Sequence, residues 1–202
     1  MWQLFVEQVA ATSAAEWVAV VAAVLYLLLA IREHIACWLF AAISSGTYVY
    51  LFIDAKLYME SLLNAYYLAM AAYGFYLWTY GRGDADKRPV VRWSLSIHIV
   101  AIGGILALSA LSGFALSAWT DAALPFFDSL TTFGAFWATL LVARKVFENW
   151  YYWLIIDLGS IGLYLLRDLY LTSILFLVYV AIIPFGIAAW RRSMEKDLHV
   201  AG

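Results

Sequence analysis

Long stretches without a charged residue constrain this chain more than any other feature of its sequence. With Asp, Glu, Lys and Arg as boundaries, the long uncharged stretches are 17–31, 35–53, 61–80, 93–120, 129–143 and 169–190. A seventh stretch, 149–166, is interrupted only by Asp157. A helix needs about 20 mainly apolar residues to cross a ~30 Å hydrocarbon core, so seven spans fit, some extended by flanking residues. We therefore predict an all-α membrane protein with seven transmembrane helices.

The overall composition leaves little room for anything outside the bilayer. Hydrophobic residues make up 66% of the chain and charged residues 13%, whereas globular proteins carry about 25% charged residues. The sequence therefore predicts one transmembrane domain over residues 1–202, with the lipid bilayer as a partner and no nucleic acid.

The positive charges predict the orientation of the spans. If the first span begins outside, ten Lys and Arg residues fall on the cytoplasmic side and only Lys56 and Arg167 fall outside. Cytoplasmic loops carry the excess of Lys and Arg in membrane proteins. We therefore expect the N-terminus outside and the C-terminus in the cytoplasm.

The two halves of the chain resemble each other. A shift of 112 residues superposes eight identical residues: Arg32/Arg144, Trp38/Trp150, Leu57/Leu169, Tyr58/Tyr170, Ser61/Ser173, Tyr67/Tyr179, Gly74/Gly186 and Trp78/Trp190. The pattern predicts a three-helix repeat over 14–80, a connector helix over 93–112 and a second repeat over 126–192. Because one connector span restores the starting side, the repeats are parallel, a plan used by transporters that bind substrate between their halves.

Polar and aromatic residues follow one face of the sixth span. Asn149, Trp153, Asp157, Ser160 and Tyr164 are spaced 4, 4, 3 and 4 residues apart, which places them on the same side of a helix. Trp150 borders this face. Lipid disfavours such a face, so we expect it to point into the bundle or a wet cavity.

The second and third spans carry comparable residues. Asn64 and Tyr67 lie on one face of the third span, and Trp38, Ser44 and Tyr48 lie in the second. Aromatic planes, amides, hydroxyls and one carboxylate suit a flat organic cation held by stacking and cation–π contacts. Ser44, Tyr48 and Ser160 have an equally good interpretation as hydrogen-bonding groups that join helices.

Other residues near the predicted span boundaries have simpler interpretations. Five tryptophans are expected to lie in the interfacial aromatic belts: Trp2, Trp17, Trp78, Trp93 and Trp190. Glu16 and Asp128, equivalent at the 112-residue shift, either line an outer vestibule or stabilise helix N-termini, and we favour the second role. Pro184 is a candidate hinge or a static kink in the last span.

Four segments resemble hallmark segments of the PnuC family of vitamin transporters. They are "ALPFFDSLTTF", "ARKVFENWYYWLIID", "RDLYLTSILFLVYVAIIPFGIAAWR" and the first-half counterpart "DAKLYMESLLNAYYLAMAAYGFYLW". The resemblance covers roughly residues 14 to 192, and the R-K-x-x-E-N-W-x-x-W run at 144–153 is its most specific part.

This resemblance implies a fold, an assembly and an activity. It implies a 3+1+3 fold distantly similar to the SWEET sugar transporters, a homotrimer and a place in the bacterial inner membrane. It also implies facilitated uptake of nicotinamide riboside for NAD biosynthesis, or of thiamine or riboflavin in related branches, with trapping by phosphorylation. The family's substrate contacts correspond here to Asn64, Tyr67, Asn149, Trp150, Trp153 and Asp157, and we add Trp38, Ser44 and Tyr164 from the polar faces.

Three of these positions differ from the usual riboside transporter. Asp157 stands where such proteins often carry asparagine, Asn64 where they carry glutamine, and Ser44 where they carry asparagine. An anionic Asp157 suits the pyridinium of nicotinamide riboside and the thiazolium of thiamine, so both vitamins stay open, whereas neutral riboflavin fits less well.

Several other classes of membrane protein do not match the sequence. A retinal-based photoreceptor needs a lysine in its last span, and 170–190 contains none. A catalytic set at depth is absent from the spans, so we expect no enzyme activity, and the separated His34, His98 and His199 predict no metal or cofactor site. A proton-coupled symporter remains an alternative, because a deep aspartate also relays protons.

Overall fold

Each long uncharged stretch of the sequence corresponds to a helix in the computed structural model. The structure describes residues 12–54, 58–81, 88–120, 124–166 and 170–200. The helices in these residues are α1 (Ala14–Ile31), α2 (Cys37–Asp54), α3 (Tyr58–Tyr80), α4 (Leu95–Trp119), α5 (Pro125–Ala143), α6 (Asn149–Leu166) and α7 (Tyr170–Val200). The prediction of seven helices is confirmed, and α7 continues past its apolar stretch because Arg, Lys, Met and Glu favour helix.

Five of the described helices are long and apolar enough to cross a membrane: α1, α2, α4, α5 and α7. The other two, α3 and α6, carry Asn64 and Asp157 together with many Tyr and Trp side chains. These side chains make α3 and α6 less apolar than their neighbours. The helices that fall short are therefore the two on which polar faces are predicted.

A side-chain cap fixes the beginning of α1. Ser13 Oγ accepts a hydrogen bond from the backbone N–H of Glu16 at 3.2 Å, and Glu16 Oε2 accepts one from the Ser13 N–H at 2.6 Å. This reciprocal capping box satisfies two N–H groups that the helix leaves unpaired. The capping role expected for Glu16 is thus confirmed, and Asp128 lies in the first turn of α5, where a carboxylate favours the helix dipole.

The described helices pack in a closed cyclic order. In this order α1 contacts α2, α2 contacts α3, α3 contacts α5, α5 contacts α6, α6 contacts α7, and α7 returns to α1. Between α3 and α5, Tyr66 Oη donates a hydrogen bond to the Phe136 carbonyl at 2.9 Å. Helix α4 stands outside this ring of six helices, where it packs mainly against α5 and contacts α6 through His98 Nδ1 and Tyr152 Oη, 3.1 Å apart.

The segment before α4 is fastened to the turn between α5 and α6. Val91 N–H donates to the Lys145 carbonyl at 3.0 Å, and Phe147 N–H donates to the Val91 carbonyl at 2.8 Å. Arg92 Nε also lies 2.9 Å from Glu148 Oε1. These contacts attach the connector helix to the second half of the chain.

Candidate functional site

Four buried tryptophans pack together near the beginnings of α2 and α6 and form what we call the tryptophan cluster: Trp38, Trp78, Trp150 and Trp190. The Trp38 and Trp78 rings are 5.4 Å apart at 85°, and the Trp150 and Trp190 rings are 5.5 Å apart at 86°. Trp78 and Trp190 lie 6.5 Å apart and join the two pairs. Such edge-to-face geometry is the favoured arrangement of aromatic rings in a core.

The expected belt positions of Trp78 and Trp190 are wrong. Trp78 is 4% exposed and Trp190 0%. Trp78 Nε1 donates to the Ala143 carbonyl at 3.1 Å, and Trp190 Nε1 donates to the Ala30 carbonyl at 3.0 Å. Because each indole satisfies a carbonyl near the end of a helix in the other half, both lie inside. Trp17 is 43% exposed, as expected for a belt residue, and Trp2 lies outside the described residues.

Two glycines make room for the other two tryptophans. A Cβ at Gly74 would lie 2.3 Å from the Trp38 ring, and a Cβ at Gly186 would lie 2.4 Å from the Trp150 ring. Both contacts are far below van der Waals distance, so the indoles lie directly on the backbones of α3 and α7.

Several polar atoms in and beside the tryptophan cluster have no hydrogen-bond partner among the described residues. Among the described residues, Trp38 Nε1, Trp150 Nε1 and Asn149 Oδ1 are buried without a hydrogen-bond partner. Asn149 Nδ2 donates to the Val146 carbonyl at 2.7 Å, which fixes the amide at the start of α6. Buried polar atoms are normally paired, so these three are candidate contacts for a bound molecule.

Asp157 lies two turns further along α6. Asp157 is 3% exposed. Its carboxylate forms neither a hydrogen bond nor an ion pair with any described residue. Tyr67 on α3 and Tyr179 on α7 both lie within electrostatic range of the carboxylate. At 3% exposure, the carboxylate is therefore covered by protein rather than open to lipid.

Two more tyrosines extend this polar region toward the beginning of α1. Tyr164 lies within electrostatic range of both Tyr67 and Tyr48, and Tyr48 lies within range of Glu16. The Tyr164 ring packs 5.2 Å from Phe176. We call Asp157, Tyr48, Tyr67, Tyr164 and Tyr179 the tyrosine group. Tyr179 was not among the predicted site residues, although its equivalence with Tyr67 at the 112-residue shift is a signal for it.

The predicted site residues therefore fall into two neighbouring sets. Trp38 and Trp150 belong to the tryptophan cluster, Asn149 directly precedes Trp150 on α6, and Trp153 is partly buried against the hydrophobic core that contains the cluster. Tyr67, Asp157 and Tyr164 belong to the tyrosine group. Ser44 is buried on α2, and Asn64 is half-buried on α3. Their roles in binding stay predictions.

An ion pair lies beside the tryptophan cluster, at the end of the helix ring where α1 and α5 end. Lys145 Nζ donates to Glu33 Oε2 at 2.6 Å and lies 4.7 Å from the centroid of the Trp78 ring. The Lys145 and Glu33 side chains are 3% and 14% exposed. The pair therefore joins the two halves in a largely dry environment, where charge pairing is strong.

Glu33 and Lys145 adopt the same unusual backbone conformation. Their φ angles are 52° and 54°, in the left-handed region that favours glycine. In each turn the next residue donates back five positions, from His34 to Leu29 and from Val146 to Leu141, which is the hydrogen bond of a Schellman helix end. This pair was not predicted from the sequence, although a shift of 112 residues superposes the two positions.

Comparisons with known proteins agree on a membrane transporter. A family model described as "Nicotinamide mononucleotide transporter" matches residues 13–192. The nicotinamide riboside transporter PnuC of Escherichia coli is 25% identical over 206 residues, covering 90% of this chain and 86% of its own. The riboflavin/roseoflavin transporter RibM of Streptomyces davaonensis is 24% identical over 141 residues, covering 66% and 64%.

A solved structure supports the fold. The crystal structure of the vitamin B3 transporter PnuC superposes with a TM-score of 0.73 and covers 96% of this chain and 88% of its own. Its sequence identity to this chain is 19%, so the similarity concerns the fold alone.

Proposed function

The chain belongs to the nicotinamide mononucleotide transporter family, and on that premise we propose that it takes up nicotinamide riboside across the bacterial inner membrane. Uptake is by facilitated diffusion, and phosphorylation in the cytoplasm traps the vitamin. The proposal draws support from the riboside transporter of Escherichia coli, which this chain resembles over 90% of its length.

The observation that carries the proposal is the enclosed carboxylate of Asp157. A carboxylate buried without a partner is costly, and a ligand with a fixed positive charge offsets that cost. The pyridinium ring of nicotinamide riboside has this charge and a flat aromatic face. Tyrosine and tryptophan side chains favour such a cation through contacts with their π-systems.

The proposed pathway runs through the ring of six helices. We propose that α1–α3 and α5–α7 are parallel repeats joined by α4, in the SWEET-like 3+1+3 arrangement, and that three copies of the chain form a trimer. The equivalent Trp–Gly contacts at Gly74 and Gly186, and the cyclic helix order, support the repeat.

The proposed orientation places the Lys145 end of the ring in the cytoplasm. Arg32, Arg144, Lys145 and Arg192 lie at this end of their helices, as the charge distribution predicts. The two predicted outer charges, Lys56 and Arg167, lie outside the described residues.

A side-by-side binding experiment tests the substrate. Purified protein is titrated by calorimetry with nicotinamide riboside, thiamine and riboflavin. We expect nicotinamide riboside to bind most tightly and neutral riboflavin most weakly. Tightest binding of thiamine would instead assign the chain to the thiamine-transporting alternative, and binding of riboflavin alone would contradict the charge argument.

Transport energetics distinguish a facilitator from a proton-coupled symporter. Proteoliposomes are loaded with buffer and given radiolabelled riboside with and without an imposed pH gradient. We expect the internal concentration to reach the external concentration in both cases. Accumulation above it, driven by the gradient, would instead assign the chain to the proton-coupled alternative, in which a deep aspartate such as Asp157 relays protons.

Trp153 offers a test of the aromatic contact with the ligand. We expect Trp153→Ala to weaken binding of the riboside about fivefold, because a cation–π contact contributes ~1 kcal/mol. The matched control is Trp17→Ala, which removes an exposed indole and should leave affinity unchanged. Equal affinities of both variants and the wild type would remove Trp153 from the site.

The Lys145–Glu33 pair is proposed to hold the cytoplasmic end closed, and Cys37 can report on it. Cys37 is the single cysteine of the chain and is 0% exposed just after the turn that holds Glu33. We expect Lys145→Met to speed labelling of Cys37 by a membrane-permeant maleimide at least about fivefold, since leaving Glu33 buried without its partner destabilises the closed state by at least ~1 kcal/mol.

The control for this experiment is Arg144→Met. It removes the neighbouring charge, whose guanidinium lies over the Trp93 ring at 5.8 Å, and leaves the pair intact. Size-exclusion profiles of all variants establish that they remain folded. Unchanged labelling in Lys145→Met would show that the pair does not control access to this end.

A further inference from the structure

Two adjoining cavities open at the Lys145 end of the helix ring. The first has a volume of about 340 Å³ and is lined by Arg32, Glu33, His34, Trp78, Arg88 and Lys145. The second, about 330 Å³, shares Arg32 and Glu33 with the first and adds Arg192 and Lys196. We call the two together the basic vestibule. Its first cavity alone reaches the size of typical small-molecule sites, roughly 300–1,000 Å³.

The described lining of the basic vestibule supplies hydrogen-bond donors almost exclusively. Guanidinium and ammonium groups donate only. His34 Nδ1 accepts the Ala36 N–H at 3.2 Å, which leaves Nε2 to carry the ring's proton. The one carboxylate in the described lining, Glu33, is already bound to Lys145.

The charge of the basic vestibule is therefore positive and uncompensated within the described lining. Lys145 and Glu33 cancel each other, while Arg32, Arg88, Arg192 and Lys196 form no ion pair with any described residue. The usual excess of positive charge on the cytoplasmic side does not by itself bring these four side chains around the same cavities. Arg144 lies instead over the Trp93 ring, and Arg191 is exposed outside both cavities.

From this arrangement we propose that the basic vestibule binds a phosphate group. Two arginines and an imidazole N–H around one cavity match the oxygens of a phosphate monoester, which arginine binds with paired hydrogen bonds. The phosphate comes either from a phosphorylated vitamin in the cytoplasm or from the headgroup of an anionic lipid.

Binding of a phosphorylated vitamin at this place would slow net uptake. The phosphate would occupy the cytoplasmic exit beside the Lys145–Glu33 pair, so the trapped product would limit further entry of its own precursor. This regulatory consequence rests on the proposed function, whereas binding of phosphate to the cavity does not.

Calorimetry on the purified full-length protein tests the site. The probes are inorganic phosphate and nicotinamide mononucleotide, and the variant is Arg32→Gln/Arg88→Gln. We expect both probes to bind the wild type and to bind the double variant at least about tenfold more weakly, because hydrogen bonds to charged groups are strong. The matched control, Arg191→Gln, removes one charge at the same end and should bind like the wild type.

Two further measurements separate this proposal from the transport function. Nicotinamide mononucleotide should still bind Asp157→Ala, and nicotinamide riboside should still bind the double variant. In the wild type, inorganic phosphate should displace the mononucleotide but not the riboside, a result that depends on no variant. If the wild type bound phosphate but not the riboside, that result would contradict the proposed function and leave the phosphate site intact.

Binding measured in nanodiscs of two lipid compositions identifies the source of the phosphate. If phosphatidylglycerol lowers mononucleotide affinity relative to pure phosphatidylcholine in the wild type, a lipid headgroup occupies the site. If both membranes give the same affinity, the free phosphate monoester is the ligand. Absence of phosphate binding in the wild type, or equal binding by the double variant, would overturn the proposal.

Discussion

Replacing Asp157 with alanine is expected to weaken binding and uptake of the riboside at least about tenfold. Loss of a desolvated charge partner costs more than ~1.4 kcal/mol, which corresponds to that factor. Affinity is measured by calorimetry and uptake in proteoliposomes. Asp157 is 3% exposed, so bulk water has little access to compensate for the lost charge.

Two controls show whether the charge itself is responsible. Asp157→Asn keeps the approximate size of the side chain, removes its charge and replaces one acceptor oxygen with an NH2 donor. It should lose affinity for the cation, but less than Asp157→Ala, since its amide oxygen still offers a partial negative charge. Ser160→Ala alters a buried hydroxyl almost one turn away on α6 and should have a small effect. Wild-type affinity in both Asp157 variants would reject the proposed role of this carboxylate.

Introducing a methyl group at Gly186 is expected to destabilise the protein by about 1–3 kcal/mol, the usual cost of overpacking a well-packed core. The new Cβ would lie 2.4 Å from the Trp150 ring. That ring is buried and packed edge-on against Trp190 at 5.5 Å, so it cannot move aside freely. Thermal unfolding of Gly186→Ala in detergent measures the effect.

A second glycine provides the matched control. Gly162 lies in α6 with nothing within 4 Å of its added Cβ, and Gly162→Ala should be neutral or slightly stabilising because alanine favours helix. In the double variant Gly186→Ala/Trp150→Leu, a smaller side chain replaces the indole. This variant should recover part of the lost stability, as expected for residues in contact. Equal unfolding temperatures for Gly186→Ala and Gly162→Ala would contradict the close packing described for the tryptophan cluster.

The helices were predictable because each span must satisfy the same simple requirement. A membrane helix needs an uninterrupted apolar stretch of a certain length, and charged residues mark its limits. The end of α7 was not predictable in this way, because Arg191 to Val200 continue the helix outside the apolar stretch. Hydropathy indicates where a chain is apolar. It does not determine where the backbone hydrogen bonds of a helix end.

The tryptophans show why the site was only partly predictable. Trp17 and Trp190 both lie near span boundaries, yet one is exposed and the other completely buried. The difference is a carbonyl partner, that of Ala30, which lies 160 residues away from Trp190 in the sequence. Periodicity placed Asp157 on a polar face, but only the packing of α3 and α7 brings Tyr67 and Tyr179 near it.

The ion pair between Glu33 and Lys145 has a consequence for the ancestry of the molecule. Under the proposed duplication, the two residues are copies of one position that meet across the symmetry axis. In a dimer of identical half-length chains, that axis would have brought two glutamates or two lysines together, and like charges repel. On this proposal the two copies diverged to opposite charge after the duplication, so their attraction is younger than the three-helix fold that was duplicated.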